Sequence, residues 1–100
     1  MKHYELIPEY NRQKSFYKKA HVTEYSKNYS ILTSYKTEVA AIQGKTFFRL
    51  WDDYSVTTLN HVNEYRQQNG LDSISKKEWL EIPVSGNQII NIIASVREAS

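Results

Sequence analysis

Side chains that could perform catalysis are few in this 100-residue sequence, and no spacing groups them. The three histidines, His3, His21 and His61, never stand at the i, i+4 spacing that lets two imidazoles share a metal on one helix face. Serine is plentiful, but the sequence contains no G-x-S-x-G motif and no phosphate-binding Walker loop. The absence of cysteine excludes thiolate catalysis and thiolate metal sites. The sequence therefore predicts a protein that is not an enzyme and uses neither a cofactor nor a metal.

The acidic pair Asp52-Asp53 precedes a segment with helical spacing, and together with His61 it could hold a divalent cation. Carboxylates also favour the positive end of a helix, so we interpret the pair as helix capping. The rings of Trp51 and Tyr54 would wedge the corner between strand and helix, which makes core packing the favoured role of this block. In a functional alternative the block forms an aromatic and acidic patch that binds a partner protein. The candidate partner-binding residues are Trp51, Asp52, Asp53, Tyr54 and Glu64.

Positive charge is concentrated in residues 1–36, which contain seven Lys and Arg against three Glu. Tyrosine is also in excess, with eight Tyr against three Phe, and six of the eight lie in the same third of the chain. Lysine can bond phosphates and tyrosine can stack on bases, although lysines on strand edges also prevent aggregation. The candidate nucleic-acid-binding residues are Tyr17, Lys18, Lys19, Lys27, Lys36 and Arg49.

The length predicts a single domain over residues 1–100, with residues 1–13 as an irregular N-terminal arm. No apolar run is long enough to span a membrane, and the first residues lack the apolar core of a signal peptide. We therefore expect a cytoplasmic protein with no membrane partner.

Alternation of apolar and polar residues predicts strands over 15–25, 29–41 and 46–51, separated by turn residues at 26–28 and 43–45. In the second strand the odd positions are expected to form the buried, dry face. The opposite, solvent-exposed or wet face would comprise Ser30, Ser34, Lys36 and Glu38. The short connections favour a three-stranded antiparallel β-meander.

Apolar residues at helical spacing predict a helix over about 56–69, with Ser55 as its N-cap and Gly70 just after its end. A capping box opens a short second helix at Ser75, which must end near Pro83. The Ile-rich segment 88–97 has helical spacing, but a strand stays open as an alternative. This segment could also pack against a second copy as a homodimer. The predicted fold is α+β, with two to three helices packed on one face of the sheet.

Residues 34–42 read S-Y-x-T-x-V-x-x-I, and they are followed by R-L-W-x-x-Y-S-x-T-T-x-x-H-V. These motifs resemble a family of small proteins without assigned function from phages, prophages and mobile elements of Firmicutes. The resemblance covers about residues 34–70. Its most specific positions are Tyr54, Ser55, Thr57, Thr58 and His61. It implies a phage or mobile-element accessory protein, a group that includes anti-CRISPR inhibitors and small DNA-binding regulators, and it implies no catalytic residues.

Two functions follow from the residues and the resemblance together. The leading one is a non-enzymatic inhibitor that binds a host defence nuclease such as Cas9, or its nucleic-acid complex, in the bacterial cytoplasm. A basic DNA channel would attract the acidic residues of the second half of the chain, namely Asp52, Asp53, Glu64, Asp72, Glu78 and Glu81. The alternative is an accessory or regulatory protein that lays its sheet on duplex DNA.

Overall fold

A computed structural model of the chain describes residues 2–85. The segment 88–97, and with it the predicted dimer contact, lies outside these residues. Within residues 2–85 the protein is an α+β structure in which one antiparallel sheet carries two helices on one face. This arrangement confirms the predicted fold class.

Within the described range the sheet contains five strands, where the sequence predicted three. Every neighbouring pair is antiparallel, and the strands lie side by side in chain order, which is the topology of a meander. The strands are β1 (Lys2–Glu5), β2 (Ala20–Ser26), β3 (Tyr29–Ser34), β4 (Thr37–Gln43) and β5 (Thr46–Arg49). The helices are α1 (Val56–Gln68) and α2 (Lys76–Glu81). No helix among residues 2–85 has the length and apolar character needed to cross a bilayer.

The first additional strand, β1, lies in the segment 1–13 that was predicted to be an irregular arm. Tyr4 pairs with Val22 of β2, so β1 forms one edge of the sheet. Three of its four side chains are exposed, and an exposed edge strand carries no apolar alternation. The arm prediction is therefore wrong for β1. Leu6 follows it and is buried, and residues 6–19 form a loop that leads back to β2.

The second additional strand arises because the stretch 29–41, predicted as one strand, is a hairpin. Ser34 pairs with Thr37 across a two-residue turn formed by Tyr35 and Lys36. Tyr35 has a φ of 57°, a left-handed conformation that Gly or Asn usually takes in such turns. No Gly, Asn or Asp marks this turn in the sequence, so the alternating pattern runs through it unbroken.

The face prediction is wrong for one side of β3: Leu32 and Ser34 are buried on the side predicted to face water, while Ile31 on the opposite side is buried as predicted. Ser30 and Ser34 were expected on the wet face, but both face α1 and form hydrogen bonds with it. Leu32 lies between them in the main core, while Ile31 belongs to a separate cluster on the opposite face. A serine can occupy a buried face when a partner satisfies its hydroxyl. Alternation alone carries no information about such a partner.

Apolar side chains of residues 2–85 form two clusters, one on each face of the sheet. The main core, between the sheet and the helices, comprises Leu6, Phe16, Ala20, Val22, Leu32, Val39, Ala40, Ile42, Val62, Tyr65 and Trp79. The second-face cluster comprises Tyr25, Ile31 and Ala41, with Tyr29, Phe48 and Leu50 packed against them. Loop 6–19 contributes two side chains to the main core, so it packs on the same face as the helices.

The two helices predicted before residue 86 are confirmed, and their end signals act as expected. The Ser55 side chain accepts a hydrogen bond from a backbone amide in the first turn of α1 at 3.0 Å. Gly70 follows α1 with a φ of 80°. Ser75 and Glu78 form the reciprocal capping box of α2. The predicted apolar stripe is less regular, because Val56 is exposed and several residues of the buried face of α1 are polar.

Candidate functional site

The buried polar face of α1 meets β3 through a hydrogen-bonded cluster. The Ser34 hydroxyl oxygen lies 2.8 Å from His61 Nδ1 and 3.0 Å from the Thr58 hydroxyl oxygen. The Phe16 ring packs edge-on against the imidazole, with 4.6 Å between the ring centroids. Burial lowers the pKa of His61 to about 4. The imidazole is therefore neutral at physiological pH.

A serine bonded to a neutral histidine is an arrangement used in nucleophilic catalysis. Here Ser34 is 2% exposed and His61 is 1% exposed, so the pair offers no path for a substrate. The structure places the His61 side chain fully inside. The same cluster accounts for part of the Y-S-x-T-T-x-x-H motif, since Ser55 caps α1 while Thr58 and His61 join the helix to the sheet.

Glu64, a predicted partner-binding residue, also lies inside, with 1% of its surface exposed. One carboxylate oxygen accepts hydrogen bonds from the backbone amides of Tyr10 and Asn11, both at 2.9 Å. The other accepts one from the Gln68 side chain at 2.7 Å. Burial raises the pKa of Glu64, but the hydrogen bonds to its carboxylate outweigh burial and hold the pKa below its ordinary value. The expectation of an exposed carboxylate is wrong here, because Glu64 fastens loop 6–19 to α1.

Arg49, a predicted nucleic-acid contact, is 5% exposed. Its Nε donates to the Trp51 carbonyl at 2.8 Å, and its Nη1 donates to the carbonyls of Trp79 and Ile82 at 3.2 and 3.1 Å. The guanidinium carbon lies 4.8 Å from the centroid of the Trp79 ring. Arg49 therefore joins β5 to the end of α2, and its buried guanidinium corrects the prediction that it faces phosphates.

The fold divides the predicted aromatic and acidic patch. Trp51 and Tyr54 pack against the main core and fill the corner between β5 and α1. Asp52 and Asp53 are exposed, and the Asp53 carboxylate accepts a hydrogen bond from the Tyr54 amide at 2.7 Å. The Asp53 carbonyl accepts one from the Trp79 indole at 2.9 Å. Of this patch, the two aspartates are the part that presents charge to solvent.

The predicted nucleic-acid-binding residues are distributed over both ends of the sheet. Tyr17 and Lys18 lie just before β2, at the end where the β3–β4 turn carries Lys36. Lys27 lies in the β2–β3 turn at the other end. Because β2 spans seven residues, the two ends are about 20 Å apart. One compact ligand contact therefore cannot include Lys27 with the other lysines.

Loop 6–19 and the β3–β4 turn together form one exposed surface. The alternation of apolar and polar residues in the sequence did not predict it. The Tyr35 amide donates to the Lys19 carbonyl at 2.6 Å, and Lys19 Nζ lies 5.6 Å from the centroid of the Tyr35 ring. The exposed cations and tyrosines of this basic loop surface are Tyr10, Arg12, Lys14, Tyr17, Lys18, Lys19, Tyr35 and Lys36. Glu5, Glu9 and Glu38 belong to the same or adjacent segments, so five cations stand against three carboxylates. The sequence signal for this surface is the run of four cations within residues 12–19.

Metal-ligating side chains do not gather within residues 2–85, where no three His, Asp or Glu residues form a group that could hold an ion. The alternative that Asp52 and Asp53 hold a cation with His61 fails on geometry. The aspartates are exposed at the corner before α1, whereas the His61 ring is buried against β3.

These features define a class of small α+β proteins in which a five-stranded antiparallel meander carries helices on one face and buried polar links hold them there. The chain belongs to DUF8033, a family of unknown function, which it matches over residues 4–81. This range extends from β1 to the last residue of α2. No curated protein and no solved structure matches the chain.

Proposed function

We propose that this protein acts by binding and not by catalysis, and that its basic loop surface binds the phosphate backbone of duplex DNA. The observation that carries the proposal is the exposure of five cations and three tyrosines on loop 6–19 and the β3–β4 turn. The polar side chains that could have performed chemistry, Ser34, His61, Glu64 and Arg49, are buried in links between elements. The exposed chemistry of this surface is cationic and aromatic.

Such a surface suits a polyanion with stacked bases. Each Lys or Arg that neutralises a phosphate releases condensed counterions, which drives association without base contacts. Tyrosine rings add stacking where a base is unpaired or splayed. Tyr17 is 78% exposed and Tyr35 is 52% exposed, so both rings are available to a ligand.

The loop that carries most of these side chains is already held in place. Leu6 and Phe16 are buried in the main core near its two ends, and the Glu64 carboxylate accepts two of its backbone amides near the middle. A loop that is ordered before binding loses less conformational entropy when a ligand arrives. The cations are therefore presented on a fixed support.

Backbone strain at this surface supports a functional role. Tyr17, Lys18 and Tyr35 have φ values of 53°, 61° and 57°. A residue other than glycine in this region costs about 1 kcal/mol or more, and such residues cluster at functional sites. Glycine would be the easier residue at each position, so we infer that the tyrosine and lysine side chains serve the ligand.

Fluorescence anisotropy with a labelled DNA duplex tests the proposal. If about four phosphates are neutralised, affinity should fall about 100-fold between about 50 and about 200 mM salt. Lys18→Glu with Lys19→Glu should weaken binding at least about tenfold at low salt, because it removes two such contacts. The matched control, Lys27→Glu with Lys45→Glu, makes the same charge change at exposed positions on the far end of the sheet. Equal losses in both double variants, or no binding by the unmodified protein at low salt, would contradict the proposal.

A second candidate is the binding of a host defence nuclease such as Cas9, or of its nucleic-acid complex, by a protein of phage or mobile-element origin in the host cytoplasm. It is supported by the motif resemblance and by the exposure of Asp52 and Asp53 beside the helices. Other exposed carboxylates in this half of the chain are Asp72, Glu78 and Glu81. Exposed carboxylates are complementary to a basic DNA channel.

Co-purification with several Cas9-type nucleases and a DNA-cleavage assay test this candidate. The unmodified protein should form a complex and slow cleavage. Asp52→Lys with Asp53→Lys should lose the inhibition, whereas Lys18→Glu with Lys19→Glu should retain it. The candidate fails if neither complex nor inhibition is found across the nucleases. Inhibition that depends on the lysines instead would assign the effect to the basic loop surface.

A further inference from the structure

Two tight turns of the basic loop surface carry the same two residue types at their tips. The first turn closes with a hydrogen bond of 2.9 Å from the Lys19 amide to the Phe16 carbonyl, so that Tyr17-Lys18 forms its tip. The second is the β3–β4 turn, whose tip is Tyr35-Lys36. Each turn therefore presents a tyrosine that is followed directly by a lysine.

Both turns hold their tyrosine in a backbone conformation that usually selects glycine. The φ angles of Tyr17 and Tyr35 are 53° and 57°, and that of Lys18 is 61°. Glycine or asparagine normally occupies such positions, because a Cβ is strained there. Polar groups fix the first turn, since the Ser15 hydroxyl accepts from the Tyr17 amide at 2.9 Å and the Glu5 carboxylate accepts from the Lys18 amide at 3.2 Å. Large side chains thus stand where folding alone would favour glycine.

The two turns lie side by side at one end of the sheet. The Tyr35 amide donates to the Lys19 carbonyl at 2.6 Å, so the residue after the first tip is paired with the first residue of the second tip. Consecutive Cα atoms are about 3.8 Å apart and paired Cα atoms about 5.5 Å apart, which places the Cα atoms of Tyr17 and Tyr35 within about 13 Å of each other. One short stretch of a polymeric ligand can therefore contact both rings.

Both rings leave much of their surface to solvent. Tyr17 is 78% exposed and Tyr35 is 52% exposed. The Tyr35 ring is supported by Lys19 Nζ, 5.6 Å from its centroid, and by the His61 ring, whose centroid lies 6.1 Å away. The Tyr35 ring is therefore oriented before a ligand arrives, and more than half of it stays free for contact.

Exposed rings beside cations suit unpaired nucleotides better than a continuous duplex. In a duplex each base face is covered by the next base pair, and opening that stack costs free energy. The lysines can then reach phosphates, but the rings find no free base. In an unpaired strand the base faces are free, and aromatic side chains stack on them with little dependence on sequence. The lysine next to each ring can neutralise a phosphate of the same strand.

We propose that the two Tyr-Lys turns form a stacking site for unpaired DNA, so that the protein prefers a duplex interrupted by a single-stranded gap. Tyr17 and Tyr35 each stack on a base of the gap, and Lys18 and Lys36 contact the phosphates beside those bases. The inference rests on the proposed DNA binding and specifies the form of DNA that the basic loop surface takes.

Fluorescence anisotropy at one low salt concentration compares a continuous duplex with the same duplex carrying a short gap. The unmodified protein should bind the gapped probe about tenfold more tightly or better, because each stacked base adds to the affinity. Tyr17→Gly with Tyr35→Gly should lose most of this preference, and the fold is retained because glycine fits both left-handed positions. The control Tyr4→Ala removes an exposed tyrosine of β1, outside the two turns, and should keep the preference.

The outcomes separate this inference from the proposed function. Equal affinity for the two probes would overturn the stacking site and leave the proposed DNA binding intact. A preference for the gap that survives Tyr17→Gly with Tyr35→Gly would also overturn it, because the rings would not be its source. Binding of neither probe would overturn the proposed function and this inference with it.

Photochemical cross-linking tests the stacking in the unmodified protein. Iodouracil placed in the gap bonds to an aromatic ring stacked on it under ultraviolet light, and mass spectrometry of the digested complex identifies that ring. Links should fall on Tyr17 or Tyr35. Links that miss both rings and fall on other aromatic residues, such as Tyr4 or Tyr10, would contradict the proposal.

Discussion

Ser34 of β3 and His61 of α1 share a hydrogen bond of 2.8 Å, although they lie 27 positions apart in the chain. Both side chains are buried, and the Thr58 hydroxyl lies 3.0 Å from the Ser34 oxygen. The contact joins helix to sheet at a point where an apolar pair would be ordinary. Serine and histidine are residue types used in catalysis, but here they form a structural contact between two elements. Four consequences of such buried polar contacts can be measured.

The buried imidazole should make stability depend on pH. The pKa of His61 in the folded protein is about 4, below its ordinary value of 6.5, so the unfolded chain binds the proton first as the pH falls. Stability is therefore lost between about pH 6.5 and about pH 4, by up to about 3 kcal/mol from this residue. Urea unfolding across this range should show the loss in the unmodified protein. In His61→Gln the slope should be much smaller, whereas His3→Gln, at an exposed position, should keep it. If the unfolding free energy of His61→Gln depends on pH as steeply as that of the unmodified protein, the pH dependence does not come from His61.

The Glu64 carboxylate should control the order of loop 6–19. In Glu64→Gln a charged acceptor of two backbone amides becomes neutral, and we expect a loss of about 1–3 kcal/mol in unfolding free energy. Hydrogen exchange at the amides of Tyr10 and Asn11 should accelerate more than exchange in β3. The control Glu9→Gln removes an exposed carboxylate from the same loop. Similar exchange in both variants would show that the carboxylate does not hold the loop.

The same carboxylate adds a second acid transition. Because the pKa of Glu64 lies below its ordinary value of 4.5, its contribution to stability is complete above that pH and is lost as the pH falls through the folded pKa. The unmodified protein should therefore lose stability more steeply below about pH 4.5 than Glu64→Gln does. If the unfolding free energies of the two proteins fall in parallel over this pH range, the predicted stabilising effect of the ionised Glu64 carboxylate is contradicted.

Replacing Arg49 with lysine should destabilise the folded protein. A lysine ammonium is a single point charge and cannot reproduce the planar fork that donates to the carbonyls of Trp51, Trp79 and Ile82. We expect Arg49→Lys to reduce the free energy of unfolding by about 2–4 kcal/mol. Arg12→Lys at an exposed loop position should cost less than about 0.5 kcal/mol. DNA affinity measured at a temperature where Arg49→Lys stays folded should remain unchanged, and a large loss would restore Arg49 as a ligand contact.

Replacing Tyr35 should affect folding stability and DNA affinity in different ways. Its φ of 57° is easy for glycine and strained for tyrosine. Tyr35→Gly should therefore hold or raise stability, by up to about 1 kcal/mol, while weakening DNA binding through the lost ring. Tyr54→Phe is the control, because Tyr54 packs against the main core and does not belong to the basic loop surface. Full DNA affinity in Tyr35→Gly would remove the ring from the proposed surface.

The parts of this fold that the sequence by itself determined are those encoded by near neighbours. Ser55 and Gly70 bracket α1 and the capping box at Ser75 starts α2, because a helix end is satisfied by groups within a few residues. The turns after β2 and β4 were likewise marked by Asn28 and Gly44, which turn geometry favours. The mixed α+β class followed from these local signals.

Only the tertiary structure decided which polar side chains are inside and which surface is left to a ligand. Glu64 was predicted on the surface because nothing within its helix indicates the backbone amides that reach it from Tyr10 and Asn11, 54 and 53 positions earlier. Arg49 was predicted to face phosphates for the same reason, since a carbonyl that satisfies it belongs to Trp79, 30 positions later. Burying a charged or polar group depends on partners from distant segments. Residue type and spacing identify a polar side chain that needs hydrogen-bond partners. Only the folded chain shows which distant backbone groups are those partners.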